Sequence, residues 1–301
     1  MASNASVSPP ASTAAVPMAA QLRALMQRPG LLQAPGCYDA FSARLIEQAG
    51  FPVAYMTGFG SSASVLGMPD AGLISFAEMA GHARNIALAL KIPLIADADT
   101  GYGNAINTYR TVRAYAQAGV AAVQLEDQVA PKKCGHTQGK QIVPLGEMVG
   151  KIRAAADARA EQDIVLVIRT DARAVAGFDE ALERCLAFRD AGADVIFFEA
   201  PETEAEMETI AKRVRAPLLI NLVEGGKTPF LPRSRLEALG FKIAIYPATL
   251  LVTVAKAMQQ QLQRLAQDDA FGANADQITF DELKTLVGFP DYYAMEERYR
   301  G

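Results

Sequence analysis

The sequence predicts an α/β protein: a (β/α)8, TIM-type barrel followed by a C-terminal helical extension. Three observations point there. From about residue 31, eight short apolar, β-rich runs alternate with amphipathic helical stretches. Continuous apolar strands between helices imply a parallel sheet covered on both faces, and eight units in roughly 235 residues suit a closed barrel. Charged residues collect at one end of the runs, whereas the other end shows mainly Ala-Gly connections. A doubly wound open sheet is the competing architecture.

In chain order, strands are expected at residues 36–38, 53–56, 93–96, 121–125, 164–168, 195–198, 217–220 and 242–245. Each is a short apolar run between helical stretches. Helices are expected at 40–49, 76–90, 105–118, 145–160, 179–191, 204–214, 233–239 and 248–265. The phrases Gln48-Ala49-Gly50, Gln117-Ala118-Gly119 and Asp190-Ala191-Gly192 each end a helix, the glycine supplying a left-handed cap. Residues 279–286 and 291–299 read as two more helices outside the eight-fold pattern. Residues 1–30 are expected to be a disordered tail, covering the uncharged first 20 residues, and a lead-in helix. Residues 31–301 then form one barrel domain, with its C-terminal helices from about 266.

Composition narrows the function. Net charge is −4, which argues against nucleic acid. No apolar run reaches the roughly 18 residues of a membrane span, and the start lacks a basic, apolar secretory leader. Three cysteines, Cys37, Cys134 and Cys185, make no disulfide framework and suit a reducing, cytoplasmic compartment.

The polar strand ends carry the chemistry. After the second strand come Tyr55 and Thr57-Gly58-Phe59-Gly60-Ser61-Ser62. After the third comes Asp97-Ala98-Asp99-Thr100-Gly101-Tyr102-Gly103, and after the fourth Glu126-Asp127-Gln128. Arg169, Glu199 and Asn221 follow the fifth, sixth and seventh. C-terminal strand ends are where barrel enzymes build active sites. Asp97, Asp99 and Glu126 repel one another unless a cation or protons intervene. Oxygen donors without clustered His or Cys suit Mg2+ or Mn2+; the competing reading for the two aspartates is a turn before Gly101. Arg169 closes an apolar strand, so it either grips a substrate carboxylate or pairs internally with Glu199 or Glu126.

The run Lys132-Lys133-Cys134-Gly135-His136 sets a thiol among two ammonium groups and an imidazole. Nearby cations favour thiolate and make a buried apolar cysteine implausible. His82 falls within a helix and reads as a structural or surface histidine. Gly58-Phe59-Gly60-Ser61-Ser62-Ala63 fits a loose dinucleotide pattern, but Gly67, Pro69 and Gly72 prevent the required helix. Gly225-Gly226-Lys227-Thr228 fails as a phosphate loop because Asn221 stands at its first glycine.

Together, the Asp97–Gly103 segment, Glu126-Asp127-Gln128 and the Cys134 run resemble the isocitrate lyase/phosphoenolpyruvate mutase superfamily, over about residues 31–300. The cysteine loop is similar to that of the carbon–carbon lyase branch, the methylisocitrate and 2,3-dimethylmalate lyases. The resemblance implies a barrel whose last helix swaps with a partner, within a homotetramer. It implies Mg2+ held directly by Asp99, with Asp97 and Glu126 assisting through water. Thr57, Gly58 and Phe59 would hold a 2-oxo acid carboxylate, and Gly135 would lie in the substrate-binding loop. Arg169, Glu199 and Asn221 would contact substrate, and Tyr55 would sit beside its hydroxyl. Cys134 would be the general acid, with Lys133, His136 and Arg169 assisting and Tyr55 or a metal-linked water network as base.

Within that family, methylisocitrate lyases carry an arginine where this chain has Val252 and a glycine where it has Phe59. The expected substrate is therefore a 2-alkylmalate, a small hydroxy-dicarboxylate, cleaved to a 2-oxo acid and a short carboxylate. Methylisocitrate cleavage, oxaloacetate hydrolysis and a catalytically silent binding barrel are the alternatives.

Overall fold

The computed structural model describes residues 16–135, 139–267 and 277–300. Eight parallel strands pair in sequence order and close into a barrel. They are β1 (Leu32–Cys37), β2 (Ala54–Met56), β3 (Leu94–Asp97), β4 (Ala122–Glu126), β5 (Val165–Thr170), β6 (Val195–Phe198), β7 (Leu218–Asn221) and β8 (Phe241–Tyr246). Closure is made by β1 against β8, with Leu32 opposite Ile243 and Ala34 opposite Ile245. The open-sheet alternative is excluded.

A lead-in helix, α1 (Met18–Gln27), precedes the barrel, so residues 18–20 are helical where a tail is expected. Its buried Leu22 belongs to the cluster filling the barrel interior, and Arg23 ties it to Asp194 and Asp163 at 3.1 Å each. The outer ring contains α2 (Ala40–Gln48), α4 (Phe76–Ala89), α5 (Ala105–Gln117), α6 (Leu145–Glu161), α8 (Phe178–Ala191), α9 (Glu204–Val214) and α10 (Arg233–Leu239). Two short helices follow strands where a loop is expected: α3 (Gly58–Ser61), running into a π turn at Ser62–Leu66, and α7 (Ala172–Ala176). A helix does therefore open at Gly58, capped by Thr57 Oγ1 accepting from Gly60 N, but left-handed Gly67 stops it.

Side chains alternate along each strand between two cores. Leu166 and Ile168 of β5 face the helices, whereas Val165 and Val167 face the barrel interior with Ile95, Ala122, Phe197, Leu219 and Ile245. Beyond β8 lie α11 (Thr249–Gln267), α12 (Phe280–Leu286) and α13 (Phe289–Tyr299). None of these three helices buries a residue. Among the described residues no helix is long and apolar enough to cross a membrane.

Candidate active site

Strand parity builds the site. Interior positions two residues apart run Ile95–Asp97 on β3, Ala122–Gln124–Glu126 on β4 and Val165–Val167–Arg169 on β5. They continue as Val195–Phe197–Glu199 through the end of β6 and Leu219–Asn221 on β7. Each series is apolar low in the barrel and polar at its C-terminal end. The functional residues are thus the uppermost layer of the interior. Tyr55, Asp97, Glu126, Arg169 and Asn221 line a cavity of about 300 Å3 together with Thr57, Gly58, Phe59, Lys133, Cys134 and Gly135. Asp99 and Glu199 stand just behind that wall, one against Lys132 and the other against Arg169 and Asn221.

The carboxylates are buried and their charges only partly compensated. Burial pushes Asp97 upward and Asp99 to about 6, with Lys132 opposing both shifts. Burial pushes Glu126 well above its usual range, against Arg169. Asp99 Oδ1 and Glu126 Oε1 are buried without a hydrogen-bond partner, although Lys132 Nζ faces Asp99 Oδ1 at 2.9 Å as an ion pair. A Cβ on Gly58 would lie 2.5 Å from Asp97 Oδ2, so only glycine lets the β2 loop approach this carboxylate. Among the described residues no three His, Cys, Asp or Glu converge closely enough to ligate one ion jointly. An all-protein cage is therefore absent there. Orphaned oxygens and an oxygen-only donor set fit Mg2+, which keeps several waters and takes one or two carboxylates.

Tyr55 donates its hydroxyl to Gln124 Oε1 at 2.8 Å, and Gln124 Nε2 donates to Asp97 Oδ1 at 3.3 Å. Burial and then the Asp97 charge raise the Tyr55 phenol well above its ordinary value. With its proton committed to Gln124, the Tyr55 hydroxyl is held in place at the cavity wall, where it can orient a substrate hydroxyl.

Arg169 is stacked on Phe197, 5.2 Å from the ring centre. Its chief partner is one the sequence reading did not anticipate: Asp171, reached by Nε at 2.8 Å and Nη2 at 2.9 Å. Glu126 and Glu199, the expected partners, are farther, at 3.5 and 3.7 Å. Asn221 donates to Glu199 at 3.3 Å. A Cβ on Gly135 would come within 2.3 Å of Arg169 Nη2 and 2.9 Å of Glu199 Oε1, so the cysteine loop packs directly on this group.

The loop returns on itself through an antiparallel bridge between Gln128 and Ile142. Its two lysines diverge. Lys132 is buried, 2.6 Å from Asp70 and 2.9 Å from Asp99. Burial depresses it, but four carboxylates, Asp99 first, raise it well above an ordinary lysine. Lys133, the lysine expected to act, lines the cavity but turns its ammonium to Gly139 O at 2.9 Å. Cys134 is half-buried in the lining and not disulfide-bonded. His136 lies outside the described residues. His82 is structural, its Nε2 2.8 Å from Tyr38 O.

The apolar part of the lining is Phe59, Val223, Ile245, Pro247, Ala248 and Val252, with the carboxylate of Glu224 among them. Sequence reasoning took Lys132 only as one of the loop's cations and missed Asp70, Gln124 and the pairing role of Asp171. Parity on β4 could have flagged Gln124, and on β5 Asp171; nothing local marks Asp70.

The phosphoenolpyruvate phosphomutase family model matches residues 22–266. The chain is 49% identical to a 2,3-dimethylmalate lyase of Eubacterium barkeri over 282 residues, 93% of this chain and 98% of the relative. It is 42% identical to a 2-methylisocitrate lyase of Bacillus subtilis (strain 168), covering 93% of this chain and 92% of the relative. Among solved structures it is similar to an oxaloacetate acetylhydrolase in complex with 3,3-difluorooxalacetate, with TM-score 0.90, 37% identity and coverage of 95% and 98%. It is also similar to a phosphonopyruvate hydrolase complexed with oxalate and Mg2+, with TM-score 0.86, 32% identity and coverage of 95% and 100%.

Proposed function

The chain belongs to the phosphoenolpyruvate mutase/isocitrate lyase superfamily, as a carbon–carbon lyase, and we propose that it cleaves 2-alkylmalates, 2,3-dimethylmalate first among them, to a 2-oxo acid and a short carboxylate. One observation carries the substrate choice. Outside the charged layer the lining is apolar apart from Glu224, and Val252 belongs to it with Val223, Ile245 and Ala248. Alkyl groups suit that lining, whereas a third carboxylate would be desolvated there without a cation.

The chain's residues divide the work. Asp99, with Asp97 and Glu126 through water, would hold Mg2+, which supplies Lewis-acid stabilisation of charge growing on the C2 oxygen. Thr57, Gly58 and Phe59 receive the carboxylate of the 2-oxo acid half, and Tyr55 orients the C2 hydroxyl. The hydroxyl proton passes to Tyr55 or to the water network at Asp97 and Glu126, and the C2–C3 bond breaks. The electron pair of that bond becomes a carboxylate enolate. Arg169 and Lys132 offset its charge, with Glu199 and Asn221 setting the arginine. Cys134 gives C3 its proton and is left as thiolate, to be reprotonated by the proton first removed, so 2,3-dimethylmalate yields pyruvate and propionate in balance. Lys133 and His136 flank the thiol in sequence and assist it.

The reading includes assembly and place. Exposed apolar faces on α11 to α13 support a helix-swapped homotetramer, and three cysteines without a disulfide support a cytoplasmic setting.

The test is Mg2+-dependent 2-oxo acid release from 2,3-dimethylmalate, other 2-alkylmalates, 2-methylisocitrate and oxaloacetate. Alkylmalates should be the preferred substrates. Fast methylisocitrate cleavage without alkylmalate activity would overturn the substrate assignment.

A further inference from the structure

We propose that Lys140 is a positioning residue for Cys134, held by the same carboxylate that orients Arg169; this rests on Cys134 being the proton donor. Lys140 lies on the return arm of the cysteine loop. Its backbone neighbourhood is fixed by Val129 N donating to Gln141 O and Val143 N to Asp127 O, each at 2.9 Å. Among the described residues its ammonium makes two contacts. One is to Asp171 Oδ1 at 2.6 Å, with the two side chains 2% and 0% exposed. The other donates to Gly135 O at 2.5 Å, the carbonyl of the residue that follows Cys134.

Asp171 is itself immobilised. Both its oxygens take Arg169, and its backbone N donates to Asp127 Oδ1 at 2.9 Å. Asp127 is held in turn by Thr170 at 2.7 Å and Arg184 at 3.1 Å. A dry ammonium is unfavourable unless paired and fully hydrogen-bonded. Here the pairing fixes two distances together: Gly135 against the barrel end, and the guanidinium beneath it. Small displacements of a reacting group are costly to turnover, so a tether one residue from the thiol acts on catalysis without touching substrate.

The experiment compares the full-length parent with Lys140→Met, checked for folding by circular dichroism and thermal melting. Removing the ammonium leaves the Asp171–Arg169 pair intact. With 2,3-dimethylmalate, kcat should fall by about tenfold to a hundredfold while KM stays within about threefold. Iodoacetamide should label Cys134 several-fold faster by mass spectrometry, Cys37 and Cys185 being fully buried. Lys140→Arg should recover part of kcat. Should Lys140→Met not fold, Asp171→Asn should accelerate labelling in the same way and also raise KM, because Arg169 loses its guide. Folded Lys140→Met with kcat or labelling rate within twofold of the parent would overturn the proposal, as would Asp171→Asn that leaves labelling unchanged. If the parent itself does not cleave the substrate, the proposed function fails, while the labelling comparison still decides the role of Lys140.

Discussion

Lys132 and Lys133 are adjacent and chemically identical, yet one is buried between Asp70 and Asp99 and the other reaches a loop carbonyl. The difference comes from Asp70, which arrives on the loop after β2 and has no local signal in the cysteine run. Lys132→Met leaves two buried carboxylates without their counter-charge, so it should lower turnover far more than Lys133→Met; equal losses would show that the divergence has no functional weight. The thiol was easier to read, because its cationic neighbours are its sequence neighbours. Cys134→Ser should cut turnover by about a hundredfold or more, the usual size of an acid–base contribution. Near-normal cleavage by that variant would remove Cys134 from its role.

At the scale of elements, the apolar patterns of β3, β4, β5, β7 and β8 end one or two residues before the ladders do. Glu126, Arg169, Thr170 and Asn221 belong to β4, β5 and β7 as hydrogen-bonded strand residues. A hydropathy pattern stops at the first polar side chain, but the backbone ladder does not. Parity then carries Arg169 inward and places Asp171 just past the end of β5, beneath the cysteine loop. Burial pushes the Asp171 carboxyl up, but Arg169 and Lys140 outweigh it and hold it below its usual range. Its folded value is below its unfolded value. Its contribution to stability is therefore complete above the unfolded value, near pH 4, and is lost as pH falls through the folded value. Asp171→Asn should cost about 3 kcal/mol near pH 7, as for breaking a buried pair. That penalty should shrink below about pH 4, read as the gap between urea midpoints of the two proteins. A pH-independent gap would mean that the ion pairs contribute nothing specific.

The whole molecule leaves a surface that a single copy does not satisfy. Phe41, Leu45, Ile46, Leu250 and Val254 line a cavity of about 610 Å3 between α2 and α11. Met258, Leu262 and Leu265 on α11, and Phe289, Tyr292, Tyr293 and Tyr299 on α13, are exposed. Exposed apolar area on this scale is what an interaction site offers. The apolar spacing of the terminal helices was visible in the sequence, and so was the strand-by-strand order of the barrel. What the chain alone does not encode locally is which barrel receives those helices, because a helix repeats the same stripe whether it packs in its own copy or in another. Under the proposed exchange, the cavity beside Leu45 is filled by a partner's helices. Leu45→Glu puts an unpaired charge into that seat and should convert the assembly measured by light scattering to smaller species, with a lower melting temperature. Because Val252 and Ala248 on the same chain segment also line the active-site cavity, activity should fall with the assembly and recover at high protein concentration. A protein that is monomeric before the substitution, or an activity indifferent to concentration, would separate the exposed helices from the site.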